Sequence, residues 1–130
     1  MRITIEADYA IRIIDCLANV DGRLCAKTLS ERTGVSLRFA LKILRKLCIA
    51  DLVRSYQGLQ GGYELKRKPE EISLKDVIEA IDGPIKISHC QNSNSCSMVD
   101  NPKLCAFHSV FSDISESVEK KLAMITFDKK

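Results

Sequence analysis

Apolar positions along the chain first repeat with a helical period, then alternate, then turn helical again. From Tyr9 to Asn19, Ile11, Ile14, Leu17 and Ala18 share one face while Arg12 and Asp15 lie off it; this predicts a helix closed by the turn residues Asp21-Gly22. Ala26 to Thr33 is a short helical stretch stopped by Gly34, and Ser36 is placed to cap a second helix running to about Ala50. That second helix would bury Ala40, Ile43, Leu44 and Leu47 and show Arg38, Lys42, Arg45 and Lys46. Leu52 to Tyr56 then reads as a strand, Gln57 to Gly62 as a turn and Tyr63 to Leu65 as the return strand, ending at Lys66-Arg67-Lys68-Pro69. Ser73 to Asp82 is predicted helical, with a capping-box pair in Ser73 and Asp76 and a stop at Gly83-Pro84. A last helix, from about Cys105 to Phe127, carries Phe111, Ile114, Val118, Leu122 and Ile125 as a narrow stripe. A helix from a second subunit would bury that stripe; packing back on its own domain is the alternative.

The pattern therefore predicts a mainly α fold with one small β-hairpin. A short helix, a tight glycine turn and a basic second helix are the parts of a helix-turn-helix, whose second helix must fit a major groove and neutralise flanking phosphates. An ordinary helical hairpin with a charged outer face has the same pattern. The hairpin that follows tips the balance, because a β-hairpin directly after a basic helix is a wing able to lie along a nucleic-acid backbone. Its glycines would permit close approach, and Lys66, Arg67 and Lys68 stand beside it.

Charge supports this division. Residues 1–68 hold thirteen Lys and Arg against seven Asp and Glu, whereas residues 69–130 hold seven against ten. A basic N-terminal half followed by a mildly acidic one suits a nucleic-acid reader joined to a sensing or assembly segment. At 130 residues with 45% hydrophobic content, one domain with a modest core is expected. No apolar run is long enough to span a bilayer and the N-terminus lacks a signal-peptide pattern, so a cytoplasmic protein is expected.

In that compartment six cysteines read as thiols or ligands rather than disulfides. Three of them, Cys90, Cys96 and Cys105, lie with both histidines, His89 and His108, in a polar stretch too poor in apolar residues to fold by burial. Thiolates with nearby imidazoles can pin such a loop around a metal or an iron–sulfur cluster. Cys16 and Cys48 lie beside core positions and read as small buried hydrophobes; Cys25 sits by a turn with nothing nearby to suggest a low pKa. No Ser/His/Asp grouping or phosphate-binding glycine loop is present, and an enzyme is not expected.

The opening Met1-Arg2-Ile3-Thr4, Tyr9-Ala10, Gly34-Val35-Ser36-Leu37, the wing with Gly61-Gly62-Tyr63, its continuation Glu70-Glu71-Ile72-Ser73-Leu74, Ile81-Asp82-Gly83-Pro84 and the three-cysteine loop together resemble the bacterial winged-helix regulators that include IscR and NsrR. The resemblance runs nearly end to end. It implies a homodimeric transcription factor, most simply a repressor, with a winged helix-turn-helix domain over residues 1–84 (helix-turn-helix about 26–49, wing about 52–66), a cysteine-rich cluster loop over 85–104 and a dimerisation helix and tail over 105–130. Each subunit would read half of a palindromic operator in double-stranded DNA, with no membrane and no small-molecule substrate involved.

The resemblance also implies the contacts. The candidates are Arg2 at the N-terminus and Thr28 in the first helix; Ser36, Leu37, Arg38, Phe39, Leu41, Lys42 and Arg45 in the second; and Gln57, Gly58, Gly61, Gly62 and Tyr63 in the wing. Cys90, Cys96 and Cys105 match the family's three cluster cysteines, and His108 matches the fourth ligand of IscR-like members. An i, i+3 spacing puts Cys105 and His108 on one helical face. Asp8, supplied by the other subunit, matches the fourth ligand of NsrR-like members and is the alternative; His108 is preferred because a carboxylate is an unusual partner to thiolates at iron. Asp8 in a first helical turn also simply complements the helix dipole. The implied cofactor is a 2Fe–2S cluster, with 4Fe–4S as the alternative.

Three departures bear on this. The interval between Cys96 and Cys105 holds eight residues, longer than the family's commoner spacing. The wing Gln57-Gly58-Leu59-Gln60-Gly61-Gly62-Tyr63 lacks the Arg and Pro that the family often has, so minor-groove readout is expected to differ. Leu41 stands where IscR-like members carry a base-contacting Glu; leucine can meet a thymine methyl but cannot accept from cytosine. The expected mechanism is a switch in which loss, oxidation or nitrosylation of the cluster changes how the readers are presented. Rival readings are a clusterless regulator controlled by thiol oxidation or a partner protein, a structural Cys₃His zinc site, and a small iron–sulfur carrier that would not bind DNA.

Overall fold

The computed structural model describes residues 2–87 and 106–128. Five helices and one antiparallel hairpin make up this part of the chain: α1 (Ile5–Ala18), α2 (Ala26–Thr33), α3 (Leu37–Ile49), β1 (Val53–Tyr56), β2 (Gly62–Leu65), α4 (Leu74–Asp82) and α5 (Ala106–Ala123), with a 3₁₀ turn at Pro69–Glu71.

Helix α1 begins four residues earlier than the apolar period predicts. The Thr4 side chain accepts from the Ala7 N–H and caps it, although Ile3 and Ile5 remain exposed and add nothing to the buried face. Along α1, Ala7, Ala10, Ile13, Ile14, Leu17 and Ala18 are buried. They meet Leu29 of α2, the Ala40/Ile43/Leu44/Leu47 face of α3, and Val77 of α4 in one continuous core. The four buried positions of α3 are those the sequence pattern assigned, and each large one contributes about 1.5–3 kcal/mol of burial.

Gly34, at φ +76°, closes α2, and Ser36 caps α3 by accepting from the Phe39 N–H. Helices α2 and α3 form the helix-turn-helix, and β1 and β2 form the wing, paired from Val53–Leu65 to Tyr56–Gly62. A third piece of backbone joins the sheet: Leu24 exchanges hydrogen bonds with Tyr63 at 3.0 and 2.8 Å. This is a winged helix-turn-helix. The Ser73–Asp76 capping box forms reciprocally at the start of α4.

The C-terminal helix differs from expectation. It ends at Ala123 rather than continuing to Phe127, because the tail is drawn back to the domain. Leu74 N–H donates to the Ile125 carbonyl, Phe127 N–H donates to the carbonyls of Pro69 and Ile72, and the Phe127 ring is buried in the core. Ile125 is therefore not part of a helical stripe. Val118 and Leu122 are half-buried, and the exposed apolar face of α5 is Phe107, Val110, Phe111 and Ile114. Among the described residues no helix is long and apolar enough to cross a membrane.

Candidate nucleic-acid interface and ligand loop

The outward surface of α3 carries Leu37, Arg38, Leu41, Lys42 and Arg45, all exposed. The cations are not equivalent. Glu6 of α1 reaches across to Lys42 (2.7 Å) and Lys46 (3.0 Å), and these two hydrogen bonds hold the Glu6 carboxyl below the usual carboxylate range. Among the described residues Arg38 and Arg45 make no ion pair or hydrogen bond, so both guanidinium groups are available to phosphate or base edges. Phe39 turns from the groove-facing surface toward Tyr9, ring edge to ring face at 6.2 Å. Ser36 is engaged as the cap of α3. Thr28 Oγ1 lies 3.1 Å from Cys25 Sγ. Arg2 lines a cleft with Thr4, Asp82 and the segment to Lys86.

In the wing, Gln57 and Gly58 are exposed and Leu59 at the tip is fully open to solvent. Gly62 is buried: a Cβ there would sit 2.8 Å from the Leu24 carbonyl oxygen, and its φ is +144°. The close approach of the Leu24 strand is by itself a reason for glycine at Gly62. Tyr63 is half-buried in the same pairing. Lys66 is held by Asp51 at 2.8 Å, leaving Arg67 and Lys68 as the unpaired cations of the basic run among the described residues.

Two contributors escaped the sequence reading. Glu6 is one. The other is Arg23, whose guanidinium stacks 3.2 Å from the Tyr56 ring centroid and donates to the Gln60 carbonyl at 3.2 Å. It places a cation on the wing, which lacks an arginine at its tip. Neither contact has a local signature; each joins residues more than thirty positions apart.

On the ligand side, Cys90, Cys96, Cys105 and His89 lie outside the described residues. His108 is half-buried in the first turn of α5. Asp8, the alternative ligand, is exposed and ion-paired with Arg12 at 3.0 Å. Among the described residues no three His, Cys, Asp or Glu side chains gather as a metal site. Burial raises the Cys16 and Cys48 thiols, in keeping with their reading as packing residues. Cys25 corrects expectation: it is exposed, and the hydrogen bonds with Thr28 lower its pKa.

A winged helix-turn-helix with an exposed cationic reading helix and a basic wing defines a DNA-binding transcriptional regulator. The profile of the Rrf2 family, described as an iron-dependent transcriptional regulator, matches residues 3–129. The chain belongs to this family, whose members are non-enzymatic DNA-binding regulators. The HTH-type transcriptional regulator IscR of Pectobacterium atrosepticum is 32% identical over 130 residues, 98% of this chain and 77% of that protein. The structure of T. potens IscR superposes with a TM-score of 0.76 at 26% identity, covering 98% of this chain and 83% of that one. CymR, the global cysteine regulator of B. subtilis, shares the fold with a TM-score of 0.78 at 24% identity over 98% of this chain and 93% of its own. Family membership removes the carrier-protein reading.

Proposed function

We propose that the chain is a homodimeric, cytoplasmic regulator that binds a palindromic operator, most simply as a repressor, under the control of an iron–sulfur cluster held by Cys90, Cys96, Cys105 and His108. Three thiolates and an imidazole suit iron in such a cluster, and 2Fe–2S is the form favoured. When bound, the cluster would supply a crosslink sensitive to redox state, iron supply or nitric oxide. The observation that carries this reading is the anchoring of both ends of the cysteine segment. Ile87, at the last described position before it, donates its N–H to Ser115 Oγ of α5 at 3.1 Å. His108 lies in the first turn of that same helix, and Lys75 of α4 pairs with Glu119 of α5 at 3.2 Å. Tension or slack in the segment therefore acts on the junction of α5 with the DNA-binding domain. The proposed ligands would come from the segment and from His108 of α5.

The test is an anaerobic visible spectrum with iron and sulfide assays, alongside operator binding, for wild type, Cys96→Ala and His108→Ala. Brown protein with stoichiometric sulfide, bleached by Cys96→Ala and altered in operator affinity, is expected. Asp8→Ala bleaching the spectrum in place of His108→Ala would move the fourth ligand to the partner subunit. Colourless protein that binds zinc and no sulfide after reconstitution sinks the cluster.

A second reading has an observation behind it. Cys25 is an exposed thiol at the start of the helix-turn-helix whose pKa is lowered by hydrogen bonding to Thr28, and the same fold is seen in the oxidised form of Staphylococcus aureus CymR. A clusterless regulator predicts neither iron nor sulfide, with operator binding that follows peroxide treatment if thiol oxidation governs it and an added partner protein if it does not.

A further inference from the structure

We infer that Leu37 and Leu41 read thymine methyl groups, so that the reading helix itself recognises the half-site through methyl contacts and donors. This rests on the DNA-binding role and asks what chemistry the reading helix can recognise. Helix α3, Leu37–Ile49, has the sequence LRFALKILRKLCI. It contains no Asp, Glu, Asn, Gln, Ser, Thr or His. The hydroxyl at its start, Ser36 Oγ, accepts from Phe39 N–H, and Glu6 nearby has one oxygen on Lys42 and the other on Lys46. The helix therefore presents no side chain built to accept from cytosine N4 or adenine N6.

What it does present is apolar surface. Leu37 and Leu41 are each 45% exposed and sit one turn apart on the outward face. The core takes none of that exposed surface. Phe39, comparably exposed, is different: it has Tyr9 as a ring partner. Arg38 and Arg45 flank the two leucines and are unpaired among the described residues. An apolar pair bracketed by free guanidinium groups fits the floor of a major groove, where the thymine C5-methyl is the apolar group and guanine O6 and N7 accept from arginine. Residues four apart are about 6 Å apart along a helix axis, close to two base steps of ~3.4 Å. The two methyls should then lie about two steps apart on one half-site.

The experiment uses the purified full chain and duplexes recovered by in vitro selection from a random 30-base-pair pool. Each thymine of the selected half-site is replaced in turn by 2′-deoxyuridine, which removes only the methyl. Wild type should weaken about fourfold per contacted methyl, and Leu41→Ala and Leu37→Ala should each become indifferent to one of the two replacements. Both positions are exposed, so both variants should fold, which circular dichroism checks. Selected half-sites without an invariant thymine, or deoxyuridine duplexes bound as tightly as the parent, overturn the inference while leaving operator binding intact. Failure to select any duplex overturns the regulator reading with it.

Discussion

Glu6 holds Lys42 at 2.7 Å, across the gap between the first helix and the reading helix. Its second oxygen takes Lys46 at 3.0 Å. One carboxylate thereby masks two of the four cations on α3. Replacing it with glutamine should release both lysines to DNA. Each new phosphate contact steepens the dependence of log K on log salt by about 0.9, so Glu6→Gln should bind more tightly at low salt, with a slope steeper by about one to two. Fluorescence anisotropy across a salt series measures this. An unchanged slope would mean that the lysines keep their distance from phosphate even when freed.

The same pair carries a pH signature. The lysines lower the Glu6 pKa in the folded protein, so its stabilising contribution is present above the unfolded value and is lost as pH falls through the lowered folded value. The difference in thermal stability between wild type and Glu6→Gln should be full at neutral pH and should vanish below the carboxylate range. A gap that stayed constant into acid would assign the effect to packing.

The wing depends on a contact no turn rule foretells. Gly62→Ala would drive a methyl to 2.8 Å from the Leu24 carbonyl oxygen at a φ of +144°. Its cost combines backbone strain of about 1–3 kcal/mol with displacement of the Leu24–Tyr63 pairing. Gly34→Ala meets nothing within 4 Å and bears only its positive φ, a cost of about 1–2 kcal/mol. Urea unfolding should rank Gly62→Ala as the more damaging, and only that variant should lose hydrogen-exchange protection at Tyr63. Equal losses would show that the Leu24 edge is soft.

These cases mark what the sequence could express. The helix-turn-helix and hairpin were legible because period, caps and glycine stops are local: Ser36, Gly34 and the Ser73–Asp76 box act where they stand. Contacts between distant segments were not. Thr4 donates to Asp82 from 78 residues away, and that bond ties the start of α1 to the end of α4. The helix expected to run to Phe127 stops at Ala123 instead, and the Phe127 ring is drawn into the core. Glycine in the wing suggested approach to DNA, but at Gly62 the approaching backbone is the protein's own.

Thiol reactivity should separate cysteines that composition treats alike. The Thr28 hydroxyl and nearby backbone N–H groups lower the Cys25 pKa, while burial raises Cys16 and Cys48. Iodoacetamide at mildly alkaline pH should label Cys25 well before the other two, by peptide mass spectrometry of the metal-free chain. Thr28→Val should slow Cys25 several-fold by removing its first hydrogen-bond partner. Comparable rates for all three would deny Cys25 any sensing role.

Phe107, Val110, Phe111 and Ile114 recur at helical spacing and are 73%, 50%, 37% and 44% exposed, while the adjoining strip of α5 holds Ser115, buried, and Glu119, paired with Lys75. One strip of α5 is thus fastened to its own domain and the face beside it is apolar and open. An isologous pairing of two such faces buries both at once, each side chain meeting the same patch of a second copy. Phe111→Asp with Ile114→Asp would place four charges in that shared surface, a cost no dimer of this size should bear. Sedimentation equilibrium should then report a monomer with an unchanged helical spectrum. Operator affinity should fall by orders of magnitude, because two half-sites no longer bind as one unit. A variant still dimeric would locate the subunit contact elsewhere and leave the α5 face for a different partner.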